Sequence, residues 1–300
     1  MTSLRSRILH ITLSRLTGAL ALDLSVQDQR TRLDGLARRG IRVPHGIHVR
    51  SLQANGIHSE WLEPVTADPQ RVILYLHGGG YCICSLDTHR GLAARLAIAS
   101  QARALIIDYR LAPENPFPAA LEDALAAYHW LLAQGIPANR IALAGDSAGG
   151  GLCLATAVCL RNANEALPAA LVLLSPWTDL TFSGESFRTR KKMDPIFGGE
   201  NNRIGYAPSY LGTQDAANPL ISPLFAELCG LPPTITHVGS DEILLDDSTR
   251  LHQKMAAAGV DSHLEIWQDM WHVFQAFAPY TPEAQFSIDK LGDFVRQVIK

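Results

Sequence analysis

A serine flanked by glycines, Gly145-Asp146-Ser147-Ala148-Gly149-Gly150, sits between two apolar runs, Ile141 to Leu143 and Leu152 to Val158. The order predicted for this stretch is strand, sharp turn, helix, which is the context of a G-x-S-x-G nucleophile elbow. Such a turn is crowded, and a side chain at Gly145 or Gly149 would collide with neighbouring backbone. Ser147 is therefore the candidate nucleophile, with the start of its own helix behind it to favour developing negative charge.

Three further loops hold side chains that a nucleophilic serine would need. His77-Gly78-Gly79-Gly80-Tyr81 follows the apolar run Val72 to Leu76. Three glycines in a row let backbone N–H groups approach a ligand closely, so Gly78, Gly79 and Gly80, with Ala148, are the candidate oxyanion donors. A phosphate cradle would need a G-K-[ST] or G-x-G-x-x-G frame, and neither is present. His77 stands on the strand side and is expected to brace the loop rather than act as a base. The second loop, Gly239 to Asp247, is acidic and follows the run Thr234 to Val238. Asp241 is the first carboxylate after the strand and the leading candidate to orient a histidine, with Glu242 and Asp246 as alternatives. Asp246 and Asp247 also suit the first turn of a helix. The third loop, Gln268 to Phe274, carries His272, the candidate general base. Together Ser147, Asp241 and His272 would perform acyl transfer.

Positioning these loops calls for strands that end side by side. Ile47 to Leu62 alternates apolar and polar residues, as edge strands with one wet face do. Val72–Leu76, Ala104–Asp108, the run before Ser147, Leu171–Leu174, Thr234–Val238 and His263–Trp267 read as strands, most of them apolar enough to be covered on both faces. Helical patterns at Thr88–Ser100, Ala119–Leu132, Leu244–Ala258 and Ala284–Val298 alternate with them. That alternation specifies a mostly parallel sheet with helices on both faces, in which reactive groups gather beyond the carboxyl ends of the strands. The chain order Ser147, Asp241, His272 is the order of α/β-hydrolases. Residues 1–44 are expected to be helix and loop, and 181–218, rich in charge, glycine and aromatics, interrupt the rhythm as an insertion.

Composition narrows the function classes. The net charge of -3, from 26 basic and 29 acidic residues, provides no basic stripe for nucleic acid. No H-E-x-x-H or paired C-x-x-C frame suggests a metal, and no cofactor is expected. Five cysteines, an odd number without a bridging pattern, suit reduced thiols in a cytoplasmic enzyme. Arg5, Arg7 and Arg15 interrupt the apolar residues of the N-terminal stretch, which is too short to span a membrane and reads as an amphipathic helix.

The chain resembles the bacterial hormone-sensitive-lipase-like (family IV) carboxylesterases. The resemblance rests on His77-Gly78-Gly79-Gly80, Asp108-Tyr109-Arg110-Leu111-Ala112-Pro113-Glu114 and Phe117-Pro118-Ala119-Ala120-Leu121-Glu122-Asp123. It continues through Gly145 to Gly150, the GDSAG branch, and Ser175-Pro176-Trp177-Thr178-Asp179-Leu180, and covers the chain from about Val72 onward. Where the family often has Asp-Pro-Leu, this chain has Asp241-Glu242-Ile243. The resemblance implies one α/β-hydrolase domain over residues 1–300 with a helical cap from about 1–44 and 181–218. Leu16, Leu20, Phe182, Phe187, Met193, Ile196, Phe197, Ile204, Tyr206 and Tyr210 are then cap or acyl-pocket candidates. The implied activity is hydrolysis of short- to medium-chain acyl esters, with cyclic esters as the alternative substrates. Plant gibberellin receptors, similar proteins that lack the histidine and bind without turnover, supply a non-catalytic alternative. A homodimer through the last strand and helix is compatible with the family pattern.

Overall fold

The β3 strand (Asp68–Leu76) shows how the sheet is held. Val72, Leu74 and Leu76 face one apolar cluster while Ile73 and Tyr75 face another, and all five are fully buried. With side chains alternating along the strand, a continuous apolar run buries on both faces. The computed structural model describes residues 2–19, 24–197 and 205–300.

The other strands are β1 (Ile47–Ala54), β2 (Ile57–Pro64), β4 (Ala102–Ile107), β5 (Ile141–Asp146), β6 (Ala170–Leu174), β7 (Thr234–Gly239) and β8 (Ser262–Trp267). They form one sheet in the order β1-β2-β4-β3-β5-β6-β7-β8. β1 and β2 are antiparallel, joined at Asn55-Gly56 with φ of 51° and 84°, the left-handed pair that a tight hairpin requires. β2 also runs antiparallel to β4, and the six strands from β4 to β8 are parallel to their neighbours. The chain thus has the α/β-hydrolase architecture that the strand–helix alternation predicts.

Helices α3 (Leu86–Ser100) and α9 (Pro282–Val298) cover the Ile73 face, and α4 (Ala119–Ala133), α5 (Ala148–Asn162) and α8 (Leu245–Ala257) cover the Leu74 face. Two N-terminal helices, α1 (Leu4–Ala19) and α2 (Val26–Gly40), lie outside the sheet, as do the short α6 (Ser186–Thr189) and α7 (Ala207–Leu211) of the 181–218 insertion. α2 is fastened by Arg30, which donates to the carbonyls of Cys82 and Ala112 at 2.7 and 2.6 Å and pairs with Glu114 at 2.7 Å. Tyr206 of the insertion donates to Gln29 of α2.

α3 and α9 meet at Gly292, where a Cβ would lie 2.4 Å from the backbone carbon of Ala99. Gly292→Ala gains up to about 1 kcal/mol of helix propensity but forces two backbones apart, an overpacking cost of roughly 1–3 kcal/mol. The expected net result is a lower urea-unfolding midpoint with an unchanged slope. The fold also buries two neutral histidines, His77 after β3 and His237 on β7, each with its pKa pushed down to about 3, chiefly by burial. Unfolded histidine titrates near 6.5, so between those values the unfolded chain binds more protons and stability falls as pH falls. Each should remove about 2 kcal/mol by pH 5. Urea titrations from pH 7 to pH 4 measure the slope, and His237→Asn should flatten it.

Candidate active site

Ser147 lies at the β5–α5 turn with φ 53° and ψ −124°, a left-handed φ that costs a non-glycine residue energy. Backbone bonds hold it there. Its N–H donates to the Leu174 carbonyl at 2.9 Å, and its carbonyl accepts from Gly150 at 3.0 Å and Trp177 at 2.9 Å. The flanking glycines are required sterically: a Cβ on Gly149 would stand 2.0 Å from the Leu76 carbonyl oxygen, and one on Gly145 2.5 Å from that of Gly149.

Beneath the turn, Asp146 joins the elbow to the glycine loop. Its Oδ1 accepts from the Tyr75 hydroxyl at 2.7 Å and from the Gly78 N–H at 3.2 Å, and its Oδ2 lies 3.1 Å from His89 Nε2. Burial alone would raise the Asp146 pKa; the facing His89 and the Tyr75 hydroxyl outweigh it and hold the carboxyl below its ordinary range. The glycine loop is thereby fixed, and its donors are sorted. Gly78 spends its N–H on Asp146. The N–H groups of Gly79, Gly80 and Ala148 donate to no protein group among the described residues. Gly79 and Gly80 have φ of 111° and 61°, and Gly80 touches Tyr206 so closely that a Cβ would come within 2.6 Å of its ring.

His77 is buried, with Nδ1 2.7 Å from the Gly78 carbonyl oxygen and its ring stacked on Tyr109 at 4.3 Å. With a pKa near 3 it is neutral across the working pH range and faces the loop backbone, not the serine.

At the acid loop the structure departs from the expectation. Asp241 turns away from His272: its Oδ1 accepts from the Ser240 hydroxyl at 2.8 Å, and its Oδ2 lies 3.7 Å from His10 of α1. Glu242 is the carboxylate beside His272, with Oε2 2.7 Å from Nδ1. Its other oxygen accepts from the Ser175 hydroxyl at 2.8 Å and from the Gly239 N–H at 2.6 Å, and the side chain is wholly buried. The Asp241 N–H is tied to the Met270 carbonyl at 2.9 Å. Strand-end proximity favoured Asp241, but consecutive residues in the turn point in opposite directions, and the extra methylene lets Glu242 reach the imidazole. The sequence held a signal for this. Read one residue later, as Glu242-Ile243-Leu244, the acid loop regains the leucine that Asp241-Glu242-Ile243 lacks. The third candidate, Asp246, accepts from the Ser186 N–H at 2.9 Å and anchors α6. Asp247 accepts from the Thr178 and Asp179 N–H groups at 2.7 and 2.9 Å.

His272 and Ser147 line one cavity of about 450 Å³ together with Gly79 and Gly80. Its walls are apolar and come from α2 (Leu33, Leu36), α3 (Leu92), the insertion (Ile196, Phe197, Tyr206) and Phe277. Phe197 packs edge-on to the His272 ring, 4.6 Å between centroids. Asp194, a residue the sequence reading passed over, holds that wall: Oδ1 accepts from the N–H groups of Ile196 and Phe197 at 2.8 and 2.9 Å, and Oδ2 from Ile243 at 3.0 Å. Burial pushes its carboxyl pKa up. Of the other pocket candidates, Phe182 and Phe187 pack on the core, Tyr210 stacks on Tyr81 at 3.7 Å, and Met193 is exposed. Leu20, Ile204 and the side chain of Leu16 lie outside the described residues. No cluster of three or more metal-ligating side chains occurs among the described residues.

A model of the α/β-hydrolase fold family matches residues 73–276. The chain belongs to the α/β-hydrolase family. An acetyl-hydrolase of Streptomyces hygroscopicus is 44% identical over 238 residues, 79% of each chain. An esterase of Acinetobacter venetianus is 37% identical over 273 residues, 91% of this chain and 89% of its own. The crystal structure of an esterase from the bacterial hormone-sensitive lipase family superposes with a TM-score of 0.94 at 45% identity, over the whole of both chains. Within the α/β-hydrolases this chain is thus a carboxylic ester hydrolase of the hormone-sensitive-lipase-like branch, acting on small-molecule esters.

The two acids of the loop are separable by experiment. Glu242→Gln should lower kcat/KM for a p-nitrophenyl ester by roughly 10³–10⁴-fold, the scale of losing a triad carboxylate. Asp241→Asn should leave it within a few-fold. A reversed pattern would return the role to Asp241.

Proposed function

We propose that this esterase hydrolyses short- to medium-chain acyl esters in two steps through an acyl-enzyme. The observation that carries the reading is the buried Glu242–His272 bond opening onto the cavity that also holds Ser147. Glu242 fixes the tautomer with the proton on Nδ1, leaving Nε2 as the base. His272 takes the Ser147 proton as Oγ attacks the ester carbonyl. The oxyanion forms beside the N–H groups of Gly79, Gly80 and Ala148, and the imidazolium formed at His272 is stabilised by the Glu242 carboxylate. His272 then protonates the leaving alkoxide, and a water deprotonated by the same nitrogen attacks the acyl carbonyl and frees Ser147.

Residues from about 1–44 and 181–218 act in this scheme as a cap on one domain. Leu33 and Leu36 from the first segment and Ile196, Phe197 and Tyr206 from the second wall the pocket. A volume of about 450 Å³ lies toward the small end of ligand pockets and favours short acyl groups over long chains. Lactones would follow the same chemistry with the leaving group tethered. The non-catalytic alternative is disfavoured, because His272 is present and held by its acid. A homodimer through the sheet edge belongs to the same proposal, supported by the exposed side chains Ile266 on β8 and Phe286 on α9. So does a cytoplasmic setting without nucleic-acid partners, for which the five unbridged thiols and the acidic balance speak.

Ser147→Ala should reduce p-nitrophenyl butyrate hydrolysis by about 10⁴–10⁶-fold, in the range of nucleophile deletions elsewhere. Across acetyl to dodecanoyl esters, kcat/KM should peak at six carbons or fewer. Substantial turnover by the alanine variant, or a maximum at dodecanoyl, would end the corresponding part of the proposal. A panel of small lactones run beside the esters separates the two substrate classes.

A further inference from the structure

The apolar residues of α1 divide between two faces. Leu9 and Leu13 turn inward onto the core beside α9. Leu4, Ile8 and Ile11 stand outward, 74%, 56% and 51% exposed. At helical spacing these three fall within about 60° of arc. Arg5 and Thr12 border the stripe on one side, Arg7 and Ser14 on the other, and Arg15 continues it, all exposed. The helix carries no acidic residue, in a chain whose net charge is -3.

The orientation of α1 is fixed from its inner face. Thr2 Oγ1 donates to Asp269 Oδ2 at 2.7 Å, and Ser3 N and Ser6 Oγ donate to Glu283 at 2.5 and 2.7 Å. His10 lies 3.7 Å from Asp241 and packs edge-on to Trp271, 5.8 Å between ring centroids. These contacts keep the Leu4-Ile8-Ile11 stripe from rolling inward. They also seat the helix against the residues that immediately precede Glu242 and His272.

We propose that the outer face of α1 docks this enzyme on an anionic lipid surface. An apolar stripe rimmed by arginines is the pattern of a helix lying in the interfacial plane, with its side chains among the acyl chains and its guanidiniums at the headgroups. Sixteen residues with three arginines cannot span a bilayer, so the contact is peripheral. A second copy of the chain is the weaker partner. A two-fold contact through this face would bring together two rims whose only charges are arginines, with no acid on either helix. Docked in this way, the catalytic loops sit about one helix diameter, ~10 Å, from the lipid headgroups. Apolar esters concentrate there. The inference is independent of the acyl-chain range proposed above.

Co-sedimentation of the full chain with vesicles of phosphatidylglycerol and phosphatidylcholine, against phosphatidylcholine alone, tests it. Binding should require the anionic lipid and weaken as salt is raised. The triple variant Leu4→Ser, Ile8→Ser, Ile11→Ser should bind at least tenfold more weakly. Its thermal midpoint and its p-nitrophenyl butyrate turnover in vesicle-free buffer should match the parent, because these side chains face solvent. Arg5→Gln with Arg15→Gln should lower the preference for anionic vesicles while leaving the apolar stripe intact. Equal binding by parent and triple variant, or equal binding to both vesicle types, would overturn the proposal. So would a dimer in sedimentation velocity that the triple variant dissociates, which would assign the face to a second copy.

Discussion

The Glu242 carboxylate is a buried charge, and burying one is costly unless each oxygen finds a donor. Here Ser175, Gly239 and His272 supply them, from the β6 exit, the β7 end and the loop after β8. Three strand ends are thereby drawn to one point. Ser175 is held in turn at φ 46°, and its hydroxyl oxygen accepts from the Val273 N–H at 3.1 Å. The geometry of the base therefore rests on a network with no spare member. Removal of a donor would leave charge in a dry place, which is more damaging than the loss of one ordinary hydrogen bond.

Asp146 performs the matching task on the other side of the serine. It is buried and satisfied by Tyr75, Gly78 and His89, so the elbow, the glycine loop and α3 are tied together. In the mechanism proposed above, the oxyanion donors are organised before any substrate arrives, and such preorganisation is what gives electrostatic stabilisation its strength. The two buried carboxylates differ in what they organise: Glu242 holds the His272 ring, and Asp146 holds the glycine loop by engaging the N–H at Gly78 and leaving its neighbours open.

The central strands were legible because both faces of the sheet are covered there. Runs such as Val72–Leu76 and Leu171–Leu174 have no polar side to confuse the reading, and Ser147 announced itself through glycines that only a crowded turn needs. Helix ends were recoverable to within a few residues for the same reason. What resisted was direction at single-residue scale. Asp241 and Glu242 are adjacent, both acidic, and both follow β7; which one turns inward depends on the Asp241 N–H meeting the Met270 carbonyl, a contact 29 residues away in the chain. The partner of the Gly78 N–H was hidden in the same way, since it is an aspartate 68 residues later. Asp194 went unread because a lone carboxylate in an irregular insertion has no periodicity to mark it.

Asp194 also bears on how such a pocket can diversify. It binds the backbone of Ile196 and Phe197 in the insertion with one oxygen and that of Ile243, next to Glu242, with the other. The wall that meets the acyl group and the loop that supplies the acid are therefore joined mechanically. Leu33 and Leu36, across the cavity on α2, are tied instead to the segment that follows the glycine loop: Arg30 donates to the Cys82 carbonyl at 2.7 Å, and Asp34 accepts from the Ser85 hydroxyl at 2.6 Å. A change on the α2 wall is therefore felt at the glycine-loop side of the site, and a change along 194–197 at the Glu242 side. Each wall of the pocket is coupled to a different loop of the site, so neither varies alone.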